Sequence, residues 1–173
     1  MFKILFTFYL SMLFVFANDL KEIDTFQANF SQSIINNSGD EIIYTGKFYI
    51  KKPAMILWEY QTPIEKKVYV TNSNVAIIEP DLEQAIVSKL EKELNIINMI
   101  KDSKKVSENL YESNMYNTTY KFIIKNNIIQ SIKYKDQIDN KVTIDFSNII
   151  QNKEINNSVF KYNIPFEYDI IRK

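Results

Sequence analysis

Between residues 46 and 60 the chain alternates apolar and polar side chains with a period of two, interrupted once, at Pro53. Phe48 and Ile50 share one face, and the same period places Lys52 beside them. After the proline, Ile56, Trp58 and Tyr60 point one way and Met55, Leu57 and Glu59 the other. A period of two is the mark of a strand with two unlike faces. Proline has no amide hydrogen to give a ladder and belongs at a strand start or an edge. The stretch therefore predicts two neighbouring strands meeting at Pro53. Their aromatic face must meet either a packed core or a ligand.

The same alternation runs through most of the chain. Phe26, Ala28, Phe30 and Ile34 oppose Gln27, Asn29, Ser31 and Ser33, which reads as a strand from Thr25, although Ile23, Phe26 and Phe30 also fit a helical repeat. The segment 36–40 is a hairpin turn of residues that accept positive φ, and Ile42, Tyr44, Gly46, Phe48 and Ile50 form the next row. Strands follow over 65–71 and 75–78, the latter ended by Pro80. Beyond Leu110 come rows at Tyr120, Phe122 and Ile124, at Ile128, Ile132 and Tyr134, and at Val142, Ile144 and Phe146. Asn126-Asn127 and Asp139-Asn140 are the turns between them, and 160–162 and 168–170 read as short closing strands around Pro165. About ten or eleven antiparallel strands result. A sheet that long curls or closes, and beyond about eight strands a barrel leaves room inside. With one helix in the body of the chain to fill it, the curl encloses an apolar cavity.

That helix is expected over 89–102, where Leu90, Leu94, Ile97, Met99 and Ile100 recur at helical spacing and Glu91, Lys92 and Glu93 cover the other face. It is either an ordinary helix packed on the sheet or a lid over the cavity. A second, short amphipathic helix is expected over 18–24.

Two absences restrict the chemistry. Among 173 residues there is no cysteine and no histidine. Disulfides, thiol nucleophiles and lipid-attachment cysteines are excluded, and with them the commonest general base and transition-metal ligand. Glu79 with Asp81, and Asp136 with Asp139, flank turns and read as solvated charges, and no metal or phosphate motif is present. Lysine plus arginine equals aspartate plus glutamate at 21 each, so no basic surface for nucleic acid is expected. No cofactor is expected either. An apolar fraction of 46% supports a sizeable core in one domain.

At the N-terminus, Lys3 precedes an apolar run over 4–16 and then Val15-Phe16-Ala17 as a small-x-small site. The run, about 13 residues, is shorter than the ~18–20 that span a bilayer. The pattern predicts a secretory signal peptide over 1–17, cleaved after Ala17, and one exported domain over 18–173. From the residues alone the protein is an exported binder of apolar ligands.

Gly46, Phe48, Ile50, Lys51, Lys52 and Pro53, followed by Trp58, Tyr60 and Pro63, resemble a motif of the periplasmic outer-membrane lipoprotein carrier proteins of the LolA family. In order with it, Phe26-Gln27-Ala28-Asn29-Phe30-Ser31-Gln32 is similar to the family's Phe-x-Ala-x-Phe-x-Gln strand, 80–84 to its Pro-Asp-Leu-x-Gln segment, and Phe160-x-Tyr-x-x-Pro165 to its C-terminal element. The resemblance implies a mainly β fold: an open, incomplete antiparallel β-barrel of about 11 strands with helices forming a lid over a hydrophobic cavity. It implies a non-enzymatic, monomeric periplasmic chaperone. Its cargo is acylated lipoproteins released by an inner-membrane ABC exporter, delivered to an outer-membrane receptor or to the membrane directly.

On this reading the acyl-chain cavity is lined by Phe30, Phe48, Ile50, Ile56, Trp58, Tyr60, Val142, Ile144 and Phe146, under a lid carrying Leu90, Leu94, Ile97 and Ile100. The family's lid-latching arginine aligns with Lys52, which keeps the charge without the planar fork and predicts a looser latch; Lys52 also reads as a snorkelling strand-end residue. A lipid- or lipoprotein-sensing module of the same fold that signals to a protein partner is the alternative function.

Overall fold

The computed structural model describes residues 22–71, 74–89 and 96–173. The first alternating rows become a meander: β1 (Thr25–Ile35), β2 (Glu41–Lys51), β3 (Met55–Thr62), β4 (Lys66–Thr71) and β5 (Asn74–Glu79). The helical alternative for the first row is thereby overturned. Next come β6 (Gln84–Lys89), the helix α1 (Ile96–Lys101), β7 (Lys104–Lys105), β8 (Leu110–Met115), β9 (Thr118–Lys125), β10 (Ile128–Lys135), β11 (Lys141–Gln151) and β12 (Asp169–Arg172). Among the described residues these twelve strands form one sheet in the order β12-β6-β5-β4-β3-β2-β1-β11-β10-β9-β8-β7. Its ends, β12 and β7, do not pair, so the barrel is open, as expected.

Turn chemistry sets the registers. Asn126 and Asn127, both at positive φ, join β9 to β10 in two residues, and Tyr116 with Asn117 does the same between β8 and β9. In the five-residue β1–β2 and β10–β11 loops, Asn36 and Asp136 hold the turn through side-chain oxygens that accept from the amides two and four residues on. β1 is the hinge of the two halves: Phe30 stands opposite Gly46 of β2 and Phe146 of β11.

Several expectations are corrected. Pro80–Leu82 form a 3-10 turn closed by Glu83 at positive φ, and β6 follows, unforeseen. Residues 160–162 are not a strand: Asn157–Phe160 is a 3-10 turn capped by Asn156, and the chain beyond it lies face-on to the sheet. Val159, Phe160, Tyr162 and Ile164 pack there by side-chain contact, where no strand edge is free to pair. The ladder is not wholly antiparallel, because β12 runs parallel to β6 with Asp169 beside Gln84. Of the helix expected over 89–102, Ile96–Lys101 is helical, Lys89 belongs to β6 and Asp102 to a turn; residues 90–95, with Leu90 and Leu94, lie outside the described residues. The signal segment and residues 18–21 of the expected N-terminal helix also lie outside them, and residues 22–24 are not helical.

The sheet has an apolar core on each face. On the concave face, Phe26, Phe30, Phe48, Ile50, Ile56 and Val70 from β1–β4 share one cluster with Phe122, Ile132, Val142, Ile144 and Phe146 from β9–β11. Strands far apart in the sheet meet there only because it curls. On the convex face, Leu57, Tyr69, Ala76, Ile78 and Ala85 are covered by Ile155 and Phe160 of the C-terminal segment. Each such valine, leucine, isoleucine or phenylalanine side chain contributes roughly 1.5–3 kcal/mol by leaving water.

The tightest contact is at Gly46, beside an irregularity in the β2–β3 register. A Cβ there would lie 1.9 Å from the Glu59 carbonyl oxygen and 3.0 Å from Cε1 of Phe30. Gly46→Ala is therefore expected to separate β2 from β3 and cost about 3 kcal/mol, as overpacked cores do. A lower midpoint in urea unfolding checks this, and an unchanged midpoint would contradict it.

Candidate functional site

Along the concave face the aromatic side chains form a continuous band. Phe26 meets Phe146 edge-on at 5.2 Å between centroids, Phe48 stacks on Phe146 at 5.7 Å, and Trp58 lies 4.1 Å from Phe48. Phe30 then meets Trp58 and Tyr60 edge-on at 5.1 and 5.2 Å, and Tyr60 meets Tyr44 at 5.7 Å. Edge-on and offset contacts suit the ring quadrupoles and hold the faces at fixed angles. The band follows from the registers, which put Phe48 opposite Trp58 and Phe30 opposite Gly46.

At the Tyr60 end the packing opens into a cavity of about 310 Å³. Trp58, Val68, Ile132 and Ile144 bound it from the sheet, and Ile96 and Met99 of α1 bound it from the other side. Gln32, Tyr60, Met115, Tyr120 and Tyr134 complete the lining. The Tyr60 hydroxyl donates to Gln32 Oε1 at 3.1 Å, and Tyr120 and Tyr134 lie 5.0 Å apart. Burial, with a smaller contribution from the neighbouring Tyr134 and Tyr44, pushes the Tyr60 hydroxyl up to about 12; burial does the same for Tyr134, helped by Tyr120 and Asp136. Both stay protonated at neutral pH. The polar residues that line this end of the cavity, Gln32 and the tyrosines, are uncharged.

Of the residues expected to line a cavity, Trp58, Tyr60 and Ile144 border this space. Phe30, Phe48, Ile50, Ile56, Val142 and Phe146 face the same side but are buried against one another. Of the expected lid residues, Ile97 and Ile100 are buried in the concave cluster, and it is Ile96 and Met99 that border the space. Gln32, Val68, Met115, Tyr120, Ile132 and Tyr134 also border the space and are not among the residues expected there. Tyr120, Ile132 and Tyr134 sat on rows already read as alternating, and Gln32 follows Phe30 by two, so the period could have found these four.

Lys51 and Lys52 diverge. The Lys51 ammonium donates to the Ile155 carbonyl and to Asn157 Oδ1, both at 2.7 Å, and so holds the C-terminal segment over the convex face. Lys52, just past the end of β2, pairs with Glu22 and, at 3.0 Å, with Asp24, and its amide donates to the Asp24 carbonyl at 2.9 Å. The two carboxylates, Glu22 foremost, hold the Lys52 ammonium above its usual range. Asn152 grips the same segment, donating to the Glu22 carbonyl and accepting from the Asp24 amide. Between those anchors Ile23 is buried in the concave core.

Among the described residues no group of three or more acidic, cysteine or histidine side chains is arranged to hold a metal, and no helix is long and apolar enough to cross a membrane.

Comparison with known proteins places this architecture. A protein of Campylobacter jejuni named outer-membrane lipoprotein carrier protein is 36% identical over 96% of this chain and 98% of its own. One of the same name from Wolinella succinogenes is 32% identical over 88% and 90%. Among solved structures, an uncharacterized conserved protein from Thermus thermophilus shares the fold at a TM-score of 0.54, covering 87% of this chain and 91% of its own at 8% identity. The family described as outer membrane lipoprotein carrier protein LolA matches residues 21–120. The chain belongs to the LolA family.

Proposed function

We propose that this protein is a periplasmic carrier that shields the acyl chains of outer-membrane lipoproteins in transit. One observation carries the reading: an apolar cavity between the concave face and α1 that ends in uncharged tyrosine and glutamine groups. Methylenes fit against Trp58, Val68, Ile132, Ile144 and Met99. Ester carbonyls at the head of an acyl chain meet a hydroxyl donor at Tyr134, the Tyr60 hydroxyl being engaged with Gln32. The protein acts as a monomer without catalysis or cofactor, exported by cleavage of residues 1–17, with 18–173 as one carrier domain. An inner-membrane ABC exporter loads it, and it unloads to an outer-membrane receptor or to the membrane.

At about 310 Å³ the cavity is small for a lipid ligand. Loading two or more chains requires α1 to lift, extending the space toward Phe30, Phe48, Ile50, Ile56, Val142 and Phe146. Lys52, expected to latch the lid, instead anchors the N-terminal segment through Glu22 and Asp24, holding residues 22–24 across the end of the curl.

Incubating the purified protein with spheroplasts is expected to release a newly made outer-membrane lipoprotein as a soluble one-to-one complex. No release by the folded protein with a matched exporter would sink the carrier reading. Trp58→Glu is expected to abolish binding, but it also places a charge against Phe30 and Phe48, so Val68→Glu, at a half-buried position on the cavity border, is the cleaner substitution. It should weaken binding of a fluorescent fatty acid at least tenfold while the protein still unfolds cooperatively; undiminished binding would remove this space as the acyl site. The raised tyrosine values predict a third result. Unfolded tyrosine ionises near pH 10, whereas Tyr60 and Tyr134 hold their protons to about 12. Their contribution to stability is thus complete below pH 10 and is lost as the pH rises from 10 to 12. Unfolding free energies compared at pH 9 and pH 11.5 should show a smaller loss in the Tyr60→Phe/Tyr134→Phe double variant.

A further inference from the structure

The strands of a meander end alternately at two edges of the sheet. The edge carrying the β1–β2, β3–β4, β5–β6, β8–β9 and β10–β11 connections is also the edge at which Tyr60, Tyr120, Tyr134 and Met115 border the cavity. Large exposed apolar side chains concentrate there: Ile43, Ile64, Leu82, Tyr116 and Ile138, from five different connections or the strands beside them. Ile138, at the tip of the β10–β11 loop, is 72% exposed. Tyr134 borders both the cavity and an open groove of about 960 Å³ that runs between the β8–β9 turn and this loop. Apolar tips therefore ring the mouth of an apolar cavity.

We infer that this rim is a bilayer-docking surface, with Ile138 as its leading tip, through which acyl chains pass directly between cavity and membrane; the inference rests on the carrier reading. The backbone of the tips distinguishes a bilayer from a protein partner. A loop entering the interface must bring its amides and carbonyls already satisfied. The Ile138 amide donates to Asp136 Oδ1 at 3.0 Å, and its carbonyl accepts from Asn37 Nδ2 of the neighbouring loop at 3.5 Å. Within the same two loops, the amides of Ser38, Gly39, Asp40, Asp139 and Asn140 all have acceptors. Ile64 follows Pro63, which has no amide hydrogen. The exposed apolar side chains sit singly on different connections, whereas a protein interface is built around a contiguous core. Acyl chains accept isolated wedges.

Charge near the leading tip is mixed: Lys135 pairs with Asp139, and Lys141 and Asp136 line the same groove. Docking should therefore be driven by apolar insertion, proceed on phosphatidylcholine as on phosphatidylethanolamine with phosphatidylglycerol, and respond little to salt.

The chain has no cysteine, so Ile138→Cys accepts an environment-sensitive dye at one site. Val106→Cys, at an exposed position on the opposite edge, is the reference. On vesicles of either composition the dye at 138 is expected to shift to the blue and the dye at 106 to stay unchanged. Ile138→Asp should weaken vesicle binding at least tenfold and leave fatty-acid uptake intact. No shift at 138, an equal shift at 106, or undiminished binding by Ile138→Asp would each overturn the docking surface. So would a shift that follows protein concentration without vesicles, which would mean that a second copy covers the tips. Loss of vesicle binding with fatty-acid uptake intact overturns this inference alone, whereas absence of uptake by the unsubstituted protein overturns the carrier reading beneath it.

Discussion

At position 46 a hydrogen atom stands where any other residue would place a carbon, and the concave face is arranged around that gap. Because nothing projects there, the Phe30 ring reaches over β2 while the Glu59 carbonyl approaches from β3. Phe30 can then present its edge to both Trp58 and Tyr60. Those two side chains are held at the cavity border instead of collapsing into it. The aromatic band is thus a rigid wall, set by backbone approach at one residue.

Two adjacent lysines divide the closing of the sheet between its faces. A strand end sends successive side chains to opposite sides, so Lys51 secures the C-terminal segment on the convex face and Lys52 the N-terminal segment beside the concave core. The convex face is thereby covered completely enough to act as a structural core. The concave face keeps its opening. The Lys52 pair with Glu22 and Asp24 is partly exposed, and exposed pairs of this kind are worth little. Its value lies in where it directs Ile23.

How legible this was in the sequence depended on which force placed each segment. Period and turn residues revealed β1 to β5 and β9 to β11: burial largely alternates along β1, β5, β9 and β11, while β3 and β4 bury adjacent residues on opposite faces, Ile56 with Leu57 and Tyr69 with Val70. β6 was missed because one of its faces offers only Ala85 and Val87 and it begins four residues after Pro80. Residues 160–162 alternate like a strand but bury their side chains flat against the sheet, a choice that depends on which edges are already occupied. The parallel pairing of β12 is equally a tertiary outcome. The inward face of the sheet was readable as a whole. Which inward residues border open space was not, because a cavity is set by what fails to fill it: Phe30 and Phe146 look like Tyr60 and Ile144 in a pattern of periods.

That distinction bears on how the proposed carrier could bind and still let go. Four side chains of α1, namely Ile96, Ile97, Met99 and Ile100, are buried against the sheet, and exposing them would cost roughly 6–12 kcal/mol. An acyl segment of about ten methylenes returns roughly 8 kcal/mol when it takes the same apolar surface. On the proposed reading, α1 and ligand would compete for one face at similar free energies, and exchange between them would be close to balanced. A deeper, preformed cavity would hold its cargo too firmly to deliver it. A fully packed one would never admit it. The small opening at Tyr60 and Tyr134 lets a chain begin to enter before α1 moves, and their uncharged hydroxyls ask no desolvation of a full charge as it does.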